Sequence, residues 1–143
     1  MIIQKMNLDK SKEVFNRCKG FMRLKECYTN IFYAVAEYFH DNFKTDKWRV
    51  AYGYMQSVEN IYVRHCYIVD DEGNVIDPTA VLVKDNMARY SYPKDYLTFA
   101  ILPTKDYIKL VKENDGFVGL ERVFRQKENE AMEYALAHNI FLI

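Results

Sequence analysis

The stretch from Ile61 to Thr79 constrains the fold more than any other part of this chain. Ile61 to Val69 is a run of β-branched and aromatic residues that suits a strand. Asp70-Asp71-Glu72-Gly73-Asn74 is a turn cluster, with Gly where a positive φ is needed. Val75-Ile76-Asp77 returns as a short strand, and Pro78 ends it. Residues 61–77 therefore read as a β-hairpin, which is marginal alone and needs other elements to pack on it.

The flanking sequence supplies them. Residues 7–19 suit a short polar helix ended near Gly20. Over 27–42, Ile31, Ala34, Val35, Tyr38 and Phe39 recur at helical spacing, with Asp41-Asn42 as a stop. Lys47 to Gln56 (KWRVAYGYMQ) suits a strand, and so does Tyr96 to Leu102. Pro103-Thr104-Lys105-Asp106 opens a helix that runs to about Asn114, with Asp115-Gly116 as its stop. A longer helix covers roughly 118–138, and Ile140 to Ile143 adds a short terminal strand. In that last helix Glu121, Arg122, Arg125, Gln126, Lys127, Glu128 and Glu130 read as a solvated face. Helix first, strands in the middle and helices at the end give an α+β class: a Cys-bearing N-terminal helix on a small antiparallel sheet, with C-terminal helices. No repeat or Pro/Gly/Ser linker divides residues 1–143, so one domain is expected.

Composition narrows the function classes. Twenty basic and twenty acidic residues cancel, which gives no general drive toward nucleic acid or anionic membranes. The apolar runs fall short of the ~20 residues a membrane span needs, and the first ten residues lack the apolar core of a signal peptide. A cytoplasmic protein is expected, with Cys18, Cys27 and Cys66 as reduced thiols. The histidines, His40, His65 and His138, form no ligand-spaced set with the cysteines, so neither metal nor organic cofactor is expected.

The chemistry-bearing residues are Cys27, His65 and Asp77. A nucleophilic thiol must be held largely as thiolate, and a helix N-terminus together with an imidazolium lowers a thiol pKa enough to do so. Cys27 stands at the expected start of the 27–42 helix. His65 lies on a strand, on the face of Val63, Tyr67 and Val69. The imidazole needs an acceptor that selects its tautomer. With the hairpin centred near Asp71-Glu72, Asp77 falls opposite about Arg64–Cys66, although a one-residue slip would flip its face.

A Cys at a helix start, an aromatic-x-Gly-aromatic strand (Ala51-Tyr52-Gly53-Tyr54), a strand carrying His65 and a following Val75-Ile76-Asp77-Pro78-Thr79 together resemble small papain- or transglutaminase-like cysteine enzymes. The resemblance covers residues 26–79. It implies that Cys27 attacks, His65 moves the proton and Asp77 orients His65. Residues 19–25 hold no Gln of the kind that serves papain-like peptidases as an oxyanion donor, which leaves the Cys27 backbone N–H as one donor.

Each residue also has a plainer role open to it. Cys27 could be a small buried hydrophobe, His65 a sheet histidine and Asp77 a turn initiator before Pro. Cys66 alternates to the face opposite His65 and reads as core, and Cys18 reads as a bystander. Asn30, one turn after Cys27, could bond within the site or fill a helix surface. Tyr52, Tyr54 and Tyr67 could line a substrate cleft, or be ordinary strand tyrosines.

The reading that follows is a thiol-dependent hydrolase or acyltransferase acting on an amide-type bond of a peptide, protein or small amide. The alternative is a non-catalytic binding protein on the same scaffold, holding a peptide or small molecule in an aromatic-lined cleft. A small compact chain rich in Tyr and Lys suits a phage or mobile-element origin.

Overall fold

The computed structural model describes residues 1–119 and 124–143. The chain opens with β1 (Ile2–Gln4) and α1 (Leu8–Cys18). Asn7 caps α1 by accepting from the Lys10 N–H, and Ser11, Val14, Phe15 and Cys18 form its buried stripe. Next come α2 (Cys27–Glu37) and a single π-helical turn, Phe39–Phe43. The helix expected over 27–42 thus changes register after Glu37, and the turn lets Phe43 reach the core while Trp48 begins the next strand.

The long hairpin is β2 (Trp48–Val58) and β3 (Ile61–Asp70), followed by β4 (Val75–Ile76). Pro78 does not merely stop β4. It opens α3 (Pro78–Asn86), a helix missed in the sequence, with Asp77 as its N-cap and Pro at its first position. Then follow β5 (Tyr96–Leu102), α4 (Thr104–Glu113), α5 (Arg125–Ala137) and β6 (Phe141–Leu142). The helix expected over 118–138 begins only at Arg125: Val118, Gly119 and Phe124 are not helical, and residues 120–123, with Glu121 and Arg122, lie outside the described residues. Glu128 departs from the solvated face expected of it. It pairs with Arg64 of β3, Oε1 to Nε, at 2.6 Å.

The class is α+β, and the sheet is mixed rather than antiparallel. Its order is β1-β5-β2-β3-β4, and β6 joins β3 in parallel. Beyond β1 the chain reaches round to β4: the Asn7 N–H donates to the Val75 carbonyl and the Val75 N–H to that of Lys5, both at 2.8 Å. The sheet curls far enough for its two ends to meet. One face carries Val50, Tyr52, Cys66, Ile68 and Ile76, packed against Val14 and Phe15 of α1, Ile31, Ala34 and Val35 of α2, and Tyr107 and Val111 of α4. The other face closes on itself around Ala51, Tyr67, Val69, Val75 and Tyr96.

One detail of the sheet positions the site. β3 is paired with β2 along its length, so β4 and β6 must share its other edge. They sit at its two ends, β4 at Ile68–Val69 and β6 at Ile61–Tyr62. Past β6 the bonding runs on to Arg64, whose N–H donates to the Ile143 carbonyl at 3.2 Å; from His65 to Tyr67 no strand pairs with that edge among the described residues.

Candidate active site

Cys27 is the first residue of α2, and it is half-buried. The chain is turned into this position by Lys25, which adopts a left-handed φ of 63° that a non-glycine residue takes only at a cost. Asn30 holds the turn in place. Its Oδ1 accepts from the Arg23 N–H at 2.9 Å, while its Nδ2 donates to the Arg23 carbonyl at 2.8 Å and to Thr79 Oγ1 at 3.2 Å. Asn30 is thus neither a cleft residue nor a surface filler. It is buried and ties the approach to Cys27 both to α2 and to α3. Glu26, the residue before the helix, makes no side-chain capping bond.

His65 is 4% exposed and Asp77 fully buried. His65 Nε2 lies 2.8 Å from Asp77 Oδ2. With Nε2 engaged by the carboxylate, Nδ1 is left for the Cys27 side chain, which is also within hydrogen-bond contact of the ring. Burial by itself pushes the imidazolium down, but the charges of Asp77 and Cys27 and hydrogen bonds to both outweigh it. Together they hold His65 up to about 10. The strand register is one residue off the expected one: Ile68 pairs with Ile76 and Val69 with Val75. Continued past β4, that register sets Asp77 opposite Tyr67 rather than Arg64–Cys66. This places it on the face His65 shares with Tyr67, as its diagonal neighbour.

The Asp77 carboxylate is fully engaged. Its Oδ1 accepts from the Ala80 N–H at 3.1 Å, and its Oδ2 accepts from the Tyr96 hydroxyl at 2.7 Å as well as facing His65. The Asp77 backbone N–H donates to Ser11 Oγ of α1 at 2.9 Å. So Asp77 caps a helix and faces an imidazole at once, and the turn-initiator reading does not exclude the site reading. Tyr96 carried no sequence signal, because nothing local to Tyr96-Leu97-Thr98 says that its hydroxyl crosses a closed sheet to meet residue 77.

Gly53 is the cross-strand partner of His65. A side chain there would collide with the Leu97 carbonyl oxygen and the Tyr67 hydroxyl. The tyrosines expected to line a cleft do otherwise. Tyr52 is buried against Phe124 and donates to the Val118 carbonyl at 3.2 Å. Tyr54 is buried near Phe99. Tyr67 is fully buried, 2.7 Å from Thr98 Oγ1, which itself bonds to Gln4. The cleft beside Cys27 has instead a volume of about 410 Å³, and its walls include Tyr28, Met55, Val63, His65, Thr79 and Val83. Tyr28, a residue the sequence did not single out as a binding group, is the tyrosine that lines the cleft among the described residues. Lys25 and Arg64 bring cationic side chains to the rim.

The other two thiols are placed differently. Cys66 is fully buried on the helix-bearing face, and burial pushes it well up. Burial also pushes Cys18 up, to about 11. Among the described residues, no group of three His, Cys, Asp or Glu side chains is placed to hold a metal ion. No helix among them is long and apolar enough to cross a membrane. No protein-family model, curated protein or solved structure matches this chain.

Proposed function

We propose that this protein is a thiol-dependent hydrolase or acyltransferase acting on amide-type bonds in the cytoplasm, and that it is related to the papain- and transglutaminase-like cysteine enzymes. The observation that carries the reading is the Cys27–His65–Asp77 arrangement: a thiol at a helix start, an imidazole in contact with it and a buried carboxylate 2.8 Å from the far ring nitrogen. A cysteine with only a packing role has no need of a buried ionisable pair beside it, since burying such a pair costs several kcal/mol per ion before the attraction returns it.

In this reading the Cys27 sulfur attacks the substrate carbonyl carbon, and the developing oxyanion is met by the Cys27 backbone N–H at the uncapped start of α2. The His65 imidazolium gives its proton to the departing amine, leaving a thioester on Cys27. Neutral His65 then takes a proton from water, or from an acceptor amine, as that nucleophile attacks the thioester. The acyl group leaves as acid or new amide, and Cys27 and His65 regain their starting charges. Asp77 keeps the ring oriented throughout. A peptide or small amide bound in the cleft would meet mainly apolar surface from Tyr28, Met55, Val63 and Val83, because Tyr52, Tyr54 and Tyr67 are buried away from it. That weighs against a purely aromatic binding cleft.

Brief labelling with iodoacetamide near neutral pH, followed by mass mapping, tests the site. Cys27 should react before Cys18 and Cys66, and His65→Ala should slow it. A rate at Cys27 indifferent to His65, or equal labelling of the three thiols, would overturn the reading.

A further inference from the structure

We infer that Tyr96 is a positioning residue of this site, which tempers the hold of Asp77 on His65 so that the imidazolium can release its proton. The inference rests on the proposed triad and adds a fourth side chain to it.

Asp77 Oδ2 receives two donors, His65 Nε2 at 2.8 Å and the Tyr96 hydroxyl at 2.7 Å. An oxygen shared between two donors offers less of its charge to each. Hydrogen bonds from uncharged donors spread a carboxylate's charge and lessen the stabilisation it gives a neighbouring cation. Among the described residues the hydroxyl has one other hydrogen-bond partner, the Met6 sulfur at 3.7 Å, a weak acceptor. Its geometry is fixed by packing: the Tyr96 ring stands edge-on to Tyr67 with centroids 4.9 Å apart, and it lies 6.5 Å from the His65 ring. Asp77 cannot turn away to satisfy one donor at the other's expense, since its Oδ1 is held by the Ala80 N–H.

A proton shuttle must take a proton in one step and give it up in the next. An imidazolium sealed at 4% exposure against a carboxylate that answered to it alone would hold its proton too firmly to act as an acid. Tyr96 supplies a counterweight without adding a charge. The other titratable groups beside His65 are Cys27 from α2 and Tyr67 from its own strand, while the adjoining Cys66 lies on the opposite, helix-bearing face. Cys66, Tyr67 and Tyr96 are all pushed up by burial and stay neutral at physiological pH, so Cys27 and Asp77 are the groups that set its charge. From α1 only the neutral Ser11 hydroxyl reaches Asp77.

The test is Tyr96→Phe, which removes the hydroxyl and keeps the ring that packs on Tyr67. Two measurements read it: the His65 ring titration followed by NMR, and the alkaline limb of the pH profile for Cys27 alkylation. Both midpoints should move upward by about 0.5–1 pH unit, the size expected for losing one competing hydrogen bond. Tyr67→Phe removes a buried hydroxyl that bonds to Thr98 instead. It should leave both midpoints in place, which separates tuning from a general loosening of the core. Midpoints in Tyr96→Phe that stay with the parent's or move down would overturn the inference alone. A parent His65 that titrates like a free histidine, with Cys27 alkylation indifferent to it, would overturn the triad and the inference with it.

Discussion

At the scale of single residues, the site depends on one carboxylate with two structural duties. Asp77 caps α3 through Oδ1 and faces His65 through Oδ2. Asn can still cap a helix, so Asp77→Asn should fold. It removes the charge that holds the imidazolium and can present an N–H where an acceptor is needed. The comparable change in a serine triad lowers turnover about 10⁴-fold. A thiolate–imidazolium pair leans less on its third member, so a loss of about 10–10³-fold in Cys27 alkylation is expected here, within the usual reach of general-base effects. The His65 titration midpoint should fall at the same time. A folded Asp77→Asn protein with parental alkylation and an unmoved midpoint would reduce the site to a Cys27–His65 dyad. The same reasoning says why Cys18 and Cys66 should lag: both are fully buried, and burial keeps both protonated near neutral pH.

At the scale of elements, the site is built where, among the described residues, no strand pairs with the outer edge of β3 from His65 to Tyr67. β4 and β6 cover the ends of that edge, and the N-terminus of α2 meets β3 at His65 between them. Two local devices hold this arrangement. Gly53 lets β2, β3 and β5 close up opposite His65, where β2 also shifts register against β5. Gly53→Ala would press a methyl into the Leu97 carbonyl and the Tyr67 hydroxyl, and backbone oxygen yields poorly. A loss of about 3 kcal/mol is expected, seen as roughly 6–12 °C in Tm. A melt within a degree or two of the parent would mean that the sheet has slack there. The second device is Asn30. Asn30→Ala would strand the Arg23 N–H and carbonyl, together with Thr79 Oγ1, around a cavity. It should cost about 2–4 kcal/mol and slow Cys27 alkylation as well, because the turn through Lys25 loses its anchor. Destabilisation with an unchanged rate on the folded protein would separate Asn30 from the site.

At the scale of the whole molecule, folding and the ionisation of His65 are linked. Its folded-state pKa, about 10, lies above the ordinary value of 6.5. Folding therefore favours the protonated ring. That contribution is fully present below about pH 6.5 and is lost as pH rises through about 10. Thermal melts from pH 6 to 10.5 should show the parent's advantage over His65→Gln shrinking across that window. The buried tyrosines will add their own alkaline loss to both proteins, so the difference between the two is the quantity to follow. An advantage that stayed constant with pH would mean that Asp77 does not hold a charged ring.

Most local elements were legible along the chain, and so was the order of the three candidate residues, Cys27, His65 and Asp77. Hydrophobic periodicity marks α2, start and stop residues mark α1 and α4, and the Asp70–Asn74 turn marks the joint between β3 and β4. Cys27 stands at a helix start because the apolar stripe of Ile31, Ala34 and Val35 begins just after it. Asp-Pro carried a helix-start signal as well as a turn signal, but read as a turn alone it leaves α3 missed. The strand expected over 75–77 yielded its last residue to that cap. Other features could not be read along the chain, because each is a contact between distant segments. Ile2–Gln4 is too short to show a period, so β1 exists only because β5 gives it a partner. The exact β3–β4 register depends on how far the turn winds, and one residue decides which face Asp77 shares. Tyr96 reaches Asp77 only because the sheet curls until its ends meet, and Asn30 reaches Thr79 only because the start of α3 lies against α2. The closure of the sheet buries Tyr67, whereas Tyr52 is covered on the helix-bearing face by Phe124 and Tyr54 packs with Leu97 and Ala131, which leaves the cleft to Tyr28 and its apolar neighbours. Alternation along a strand says which side chains share a face, but whether that face meets solvent or another layer is fixed by what the rest of the chain brings to it.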